Sequence, residues 1–359
     1  EDNAEPPSAL VEYHPELEPQ IVWKEHIGVG ADERSLKLIP AIGSSKVIAA
    51  DREGLVQARN AGTGDLVWEV ETGLPFSAGP SVGAGKIILG TSKAEVVALN
   101  SENGEQLWKG KVSSEVLAVP VIAKGIVIVR TTAGEVVAFD ERSGNRLWAY
   151  DHSVPSLSIR GTGAPLILGD QVIVGYDNGK LVALKLNNGK YIWEATIVMP
   201  KGRSEIERLV DLDVDPIQIG GNIYIAGYNG GISAVSSTDG EVLWRNEKMS
   251  SYTGLSNDYR YIYLSDNSGQ VLQLEEKRGS ALWKQSELNH RKLTAPALYQ
   301  DYVVVGDYNG YVHWLSVRDG RQLGRVQISD SAIEVKPIVS GGTVYVYAKD
   351  GTLAALTAH

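Results

Sequence analysis

Residues 120–148 have the sequence PVIAKGIVIVRTTAGEVVAFDERSGNRLW, and this stretch decides the fold because its pattern recurs along the whole chain. It begins at Pro120, and Gly134, Ala138, Gly144 and Trp148 follow by 14, 18, 24 and 28 residues. Three further repeats keep all five residue types at the same spacing and start at Pro40, Pro165 and Pro216. A period near 40 residues is typical of propellers and solenoids.

Four other repeats keep the pattern in part and start at Pro80, Leu255, Pro296 and Pro337. The repeat that starts at Pro296 is the most altered, since Trp314 stands at its alanine position and Gly324 at its tryptophan position. With these four, the chain contains eight repeats.

Each repeat has the composition of four short strands. Apolar, β-branched runs alternate with polar turns that end in glycine, such as Asp177-Asn178-Gly179, and glycine supplies the positive φ that a tight hairpin needs. No stretch has a helical period. The pattern predicts an all-β, eight-bladed β-propeller of four-stranded antiparallel blades.

The last repeat ends at His359, before its fourth strand, and the missing strand is predicted at the other end of the chain. Residues 20–23 (QIVW) have the form of a tryptophan-bearing fourth strand, which would complete blade eight and close the ring. We therefore expect one propeller domain over residues 20–359. Residues 1–20 contain six acids, four prolines and neither Lys nor Arg, so residues 1–19 are predicted to be a flexible acidic leader or tether.

Composition argues against several functional classes. The net charge of −10 and the lack of a basic stripe argue against nucleic-acid binding. Without cysteine, thiolate metal sites and cysteine nucleophiles are excluded. The six histidines are scattered, with neither a His-Glu-x-x-His motif nor a nucleophile elbow. We therefore expect no catalytic residue, no metal and no cofactor.

Two neighbouring connections between repeats are enlarged, since the spacing of repeat starts rises from 40 residues to 45 and then 51. Extra length on one face of a repeat protein usually marks its binding face. The first connection, 150–164, contains Leu157, Ile159 and Arg160, which could form an apolar anchor beside an arginine or pack on their own blade.

The second enlarged connection, 194–215, contains Asp211, Asp213 and Asp215 at alternate positions, which places three carboxylates on one face of an extended segment. A calcium loop would need a glycine and a distant glutamate in register, and neither is present. Partner contact and a solvated loop both remain open. The carboxylates could hold Arg160 in place or receive a basic group from a partner.

The repeat resembles the blades of quinoprotein dehydrogenases (the PQQ-like repeat), and the whole chain more closely resembles the BamB family. Four stretches carry this likeness: PSLSIRG at 155–161, SEIERL at 204–209, LNHRKLT at 288–294 and GYVHWL at 310–315. The resemblance implies a non-enzymatic lipoprotein at the periplasmic face of the outer membrane, in the β-barrel assembly (BAM) complex. It also implies docking on the periplasmic POTRA domains of BamA through Leu157, Ile159, Arg160, Asp211 and Asp213.

The same resemblance leaves unfolded outer-membrane proteins open as further partners. The lipid-bearing cysteine of the family is absent from this sequence, so anchoring is implied by the family alone. Two alternatives to a scaffold remain at this point: a pyrroloquinoline-quinone dehydrogenase, and a propeller that binds a glycan or peptide in its central channel.

Overall fold

The structure is a computed structural model that describes residues 5–151, 162–199 and 212–359, and these ranges contain 33 strands. Within these ranges, no helix has the length and apolar character needed to cross a membrane.

The strands form eight sheets, one for each repeat. In chain order they are β1 (Pro19–His26), β2 (Lys37–Leu38), β3 (Ala41–Gly43), β4 (Lys46–Ala50), β5 (Leu55–Asn60), β6 (Leu66–Glu71), β7 (Phe76–Gly83), β8 (Lys86–Thr91), β9 (Glu95–Asn100), β10 (Gln106–Lys111), β11 (Val121–Ala123), β12 (Ile126–Arg130), β13 (Val136–Asp140), β14 (Arg146–Tyr150), β15 (Leu166–Leu168), β16 (Gln171–Gly175), β17 (Lys180–Lys185) and β18 (Tyr191–Thr196). The remaining strands are β19 (Ile217–Ile219), β20 (Asn222–Gly227), β21 (Gly231–Ser236), β22 (Val242–Asn246), β23 (Leu255–Asn257), β24 (Tyr261–Ser265), β25 (Val271–Glu275), β26 (Ala281–Gln285), β27 (Ala297–Tyr299), β28 (Tyr302–Gly306), β29 (Tyr311–Ser316), β30 (Gln322–Gln327), β31 (Ile338–Ser340), β32 (Thr343–Tyr347) and β33 (Thr352–Ala358).

The prediction of an eight-bladed propeller is confirmed. Blade one is β3–β6, blade two is β7–β10, and the next five blades follow in groups of four consecutive strands up to β30. Blade eight has the order β1-β33-β32-β31, and Trp23 of β1 lies opposite Ala355 of β33. The N-terminal strand therefore closes the ring, as predicted. Blade two carries an addition that the repeat does not predict: β2 pairs in parallel with β7 at its inner edge.

Tryptophan contacts join successive blades. Seven indole N–H groups each donate to a backbone carbonyl of the next blade at 2.9–3.1 Å; the tryptophans are Trp23, Trp68, Trp108, Trp148, Trp193, Trp244 and Trp283. Each ring lies against the repeat glycine of that blade's last turn, where an added Cβ would come within 3.0 Å of the indole. Inter-blade packing therefore explains both the tryptophan and the glycine of the repeat.

Blade seven exchanges the large and the small residue that face each other on its third and fourth strands. Trp314 on β29 lies opposite Gly324 on β30, whereas six other blades place alanine on the third strand and tryptophan on the fourth. Blade six has Gln273 opposite its tryptophan. Trp314 is fully buried. The space beside Gly324 is occupied by Leu17, which is only 6% exposed. A residue from the leader thus lies where the eighth docking tryptophan would be.

The described part of the leader contacts blade seven, and its flexibility as a tether stays a prediction. The backbone N–H groups of Glu16 and Leu17 both donate to the carbonyl of Leu323. Further along, Arg325 donates to the carbonyl of Val11 at 2.8 Å and Arg291 donates to that of Ser8 at 2.9 Å. These contacts could not be assigned from the leader's own sequence, because the arginines come from the far end of the chain.

Arg291 is held in turn by a buried polar cluster. Its Nε donates to Asp307 Oδ2 at 2.8 Å, and His313 Nε2 lies 2.9 Å from the same oxygen. Burial alone would raise the pKa of Asp307, but the hydrogen bonds and charges of His313 and Arg291 outweigh it and hold that pKa below its ordinary value. The carboxylate is therefore ionised and fixes Arg291 towards the leader.

Candidate docking site

The two enlarged connections lie on one face of the ring, called here the connection face. It is the face where the fourth strand of each blade leads into the first strand of the next. The first enlarged connection joins β14 to β15 and the second joins β18 to β19, so both flank blade four. Of the predicted docking residues, Leu157, Ile159, Arg160 and Asp211 lie outside the described residues. Asp213 is described.

The C-terminal ends of the two connections are hydrogen-bonded to each other. The backbone N–H of Thr162 donates to Asp213 Oδ1 at 3.2 Å, and the N–H of Ala164 donates to Asp215 Oδ1 at 2.7 Å. Both carboxylates thus point to the same side of an extended segment, as their alternate spacing predicts. The described C-terminal ends of the two connections are thus joined, and this contact is called here the junction.

The side chain of a buried arginine contacts the backbone of this junction. Arg130 is 1% exposed, and it donates to the carbonyl of Gly163 at 3.0 Å. Its guanidinium lies 5.3 Å from the ring centre of Tyr176 and 3.9 Å from a carboxylate oxygen of Asp177. These contacts tie the end of the first connection to blades three and four.

Apolar side chains anchor the second connection where it returns to the blades. Leu212 and Val214 are buried, while Asp213 and Asp215 between and after them are more exposed. Gly163 lies so close to the Asp213 carbonyl that an added Cβ would be 3.1 Å from it. The backbone of the junction is therefore packed closely, and its carboxylates are held at the surface.

The connection face also carries exposed apolar side chains. Met199, the last described residue before the second gap, is 68% exposed. On the next blade, Tyr228 and Tyr252 are 46% and 44% exposed, and their ring centres are 6.2 Å apart. Exposed aromatic side chains and methionine are typical of protein interfaces.

Sequence reasoning missed Arg130, although a signal existed. At the position ten residues after the start of a repeat, Arg130 replaces the small residue found in most other repeats: Ala50, Gly90, Gly175, Ala226, Ser265 and Gly306. A charged side chain at an otherwise small, buried position indicates a specific polar partner. Tyr228 and Tyr252 were also missed, because single tyrosines in turns have no distinguishing spacing.

Among the described residues, no group of three or more His, Asp or Glu side chains could hold a metal ion. What the site offers is a rigid junction with exposed carboxylates and neighbouring apolar side chains. This arrangement is suited to binding a protein surface.

Comparison with known proteins places the chain in a family. The model of the family described as "Outer membrane protein assembly factor BamB" matches residues 52–285 and 274–359. The outer membrane protein assembly factor BamB of Pseudomonas aeruginosa is 47% identical, over 98% of this chain and 92% of that protein.

Solved structures agree with this placement. The crystal structure of BamB from Moraxella catarrhalis has a TM-score of 0.85 at 26% identity and covers 94% of this chain and 99% of that one. A quinohemoprotein alcohol dehydrogenase from Comamonas testosteroni has a TM-score of 0.75 at 13% identity, covers 94% of this chain and 76% of that one, and shares the fold. The chain belongs to the BamB family of outer membrane protein assembly factors.

Proposed function

We propose that this chain is a non-catalytic scaffold subunit of the BAM complex that docks on the periplasmic POTRA domains of BamA. The joined connections between blades three, four and five form the docking surface, with Leu157, Ile159, Arg160, Asp211 and Asp213 as its contact residues. The protein acts at the periplasmic face of the outer membrane, held by a lipid anchor ahead of the leader, and assists the insertion of β-barrel proteins.

The observation that carries the proposal is the pair of hydrogen bonds from Thr162 to Asp213 and from Ala164 to Asp215. Because they join the only two enlarged connections of the repeat, residues on both sides of the junction can contact one partner together. The exposed side chains of Met199, Tyr228 and Tyr252 extend the surface with apolar area. Such a combination of apolar anchors and fixed charges is typical of interface hot spots.

A scaffold rather than an enzyme is favoured by the relatives. The similar chains that match over nearly the full length are named as assembly factors. The dehydrogenase from Comamonas testosteroni shares only 13% of its sequence with this chain, which supports a common fold alone.

The test is the affinity of the purified chain for a POTRA fragment of BamA. We expect Leu157→Ala and Arg160→Ala each to weaken binding by about thirtyfold, equal to about 2 kcal/mol. The matched control is the pair Leu147→Ala and Arg142→Ala, which removes the same groups from exposed positions away from the junction, and it should bind as the wild type does. Wild-type affinity in a folded Leu157/Arg160 double variant would contradict the proposal.

A further inference from the structure

The innermost strands of blades five to eight line an open cavity of about 340 Å³ that faces the central channel. Its wall combines apolar side chains, among them Ile217, Leu298 and Ile338, with the polar side chains of Ser256 and Asn257. One ammonium group, that of Lys336, is part of this wall.

The position of Lys336 in the repeat is unusual. It directly precedes the first residue of repeat eight, and at this position most other repeats have an uncharged residue: Ile39, Gly79, Val119, Ala164, Gly254 and Ala295. The other exception is Asp215 of the docking junction. A lysine at this position introduces a cation to the channel where the repeat itself requires none.

The protein provides the ammonium group of Lys336 with few polar contacts that would offset its loss of hydration. Its Nζ donates to the carbonyl of Leu255 at a long 3.4 Å, and in the described part of the chain no carboxylate lies within 4.0 Å of it. Burial lowers the pKa of Lys336, and the more distant charge of Asp215 offsets part of this effect. Lys336 is half-buried, and a partly desolvated ammonium normally has an anionic partner or a ligand.

A second polar group in the wall also lacks a partner. Ser256 lines the cavity and is 6% exposed, and its Oγ has no hydrogen-bond partner among the described residues. A buried hydroxyl normally has at least one partner. The cavity thus combines an unpaired cation, a hydroxyl and an apolar wall.

We propose that this cavity binds a monocarboxylate with a compact apolar body, whose carboxylate pairs with Lys336 and whose apolar part lies against Ile217, Leu298 and Ile338. A single cation matches a single negative charge, and the residues that line the cavity include no second cation that could pair with a polyanion. The class includes a short aliphatic acid and the C-terminal residue of a peptide. None of the residues that line the cavity is among the proposed contact residues for BamA, so either proposal can fail without the other.

The experiment is calorimetric titration of the purified chain with two pairs of probes. Hexanoate is compared with hexanamide, and acetyl-Gly-Leu as the free acid with its C-terminal amide. We expect at least one acid to bind, and its amide to bind at least about tenfold more weakly, because the charge-assisted hydrogen bond is lost. Binding of hexanoate would identify a short aliphatic acid as the ligand, and binding of acetyl-Gly-Leu would identify the C-terminal residue of a peptide. Failure of both acids to bind would overturn the proposal.

Two variants assign binding to Lys336. Lys336→Met and Lys336→Gln should each weaken binding of the acid at least about tenfold while the chain melts at or above the wild-type temperature, since the ammonium makes only one long hydrogen bond to the protein. Lys349→Met makes the same charge change on blade eight, at a lysine paired with Glu334, and should leave binding unchanged. Wild-type binding in the Lys336 variants, or a lower melting temperature in both, would contradict the proposal.

Discussion

At the residue scale, tryptophan and glycine act as a pair across each blade boundary. The indole needs a flat surface to lie on and a carbonyl to receive its N–H, and a turn glycine with φ near +70° supplies the surface, as Gly144 does for Trp108. Because both residues recur at fixed spacing, this contact could be predicted from the sequence. The partner of Arg130 could not, since Gly163 and Asp177 lie on segments whose approach depends on the closed ring.

Trp23 tests this contact where it also closes the ring. Trp23→Ala removes the indole that packs on Gly64 and donates to the carbonyl of Ala61, and we expect a loss of about 3–5 kcal/mol of stability. The measurement is thermal or denaturant unfolding. Val22→Ala, at the neighbouring and 51% exposed position, is the matched control and should unfold like the wild type. Equal free energies of unfolding for the Trp23→Ala and Val22→Ala variants would contradict this role of Trp23.

Asp213 tests whether a docking carboxylate positions a neighbour or contacts the partner directly. Its Oδ1 accepts from Thr162, and an asparagine keeps an acceptor oxygen at this position while removing the charge. If positioning dominates, Asp213→Ala should weaken POTRA binding about tenfold and Asp213→Asn much less. Equal weakening by both variants would show that the negative charge itself is what the partner recognises.

At the element scale, the leader behaves as part of blade seven. A flexible tether stays a prediction, and the sequence signal for the contact with blade seven is Gly324 at a tryptophan position, which leaves a gap for a side chain from elsewhere to fill. Leu17 fills that gap, and β1 then follows directly in blade eight. The enlarged connections could be located from repeat spacing, but their junction could not, because Thr162 and Ala164 carry no motif.

Leu17→Ala tests the leader contact. It should lower stability by about 2–4 kcal/mol, as for a buried leucine, and loosen residues 5–18 from Leu323. Melting temperature and the rate of proteolysis within the leader are the two readouts. Glu12→Ala, at an exposed leader position, should change neither. A Leu17→Ala variant as stable and as resistant as the wild type would mean that the leader is only loosely held.

At the scale of the whole molecule, the leader and the proposed docking surface reach the same face of the ring. The leader passes along β30 from Leu17 to Ser8, whose N–H donates to the carbonyl of Asn289 in the connection that leads into blade seven. It therefore reaches the connection face, the same face that carries the joined enlarged connections. A tether leaving there and a partner bound at blades three to five would approach the propeller from one side.

The docking surface is tested most directly by hydrogen–deuterium exchange of the intact chain with and without the POTRA fragment of BamA. We predict that binding slows exchange in both enlarged connections together, 151–164 and 197–215, because one partner covers their junction. Connections of ordinary length on the same face, such as 286–295, should exchange at the same rate in both conditions. Protection of only one enlarged connection, or of a surface elsewhere on the ring, would contradict the account.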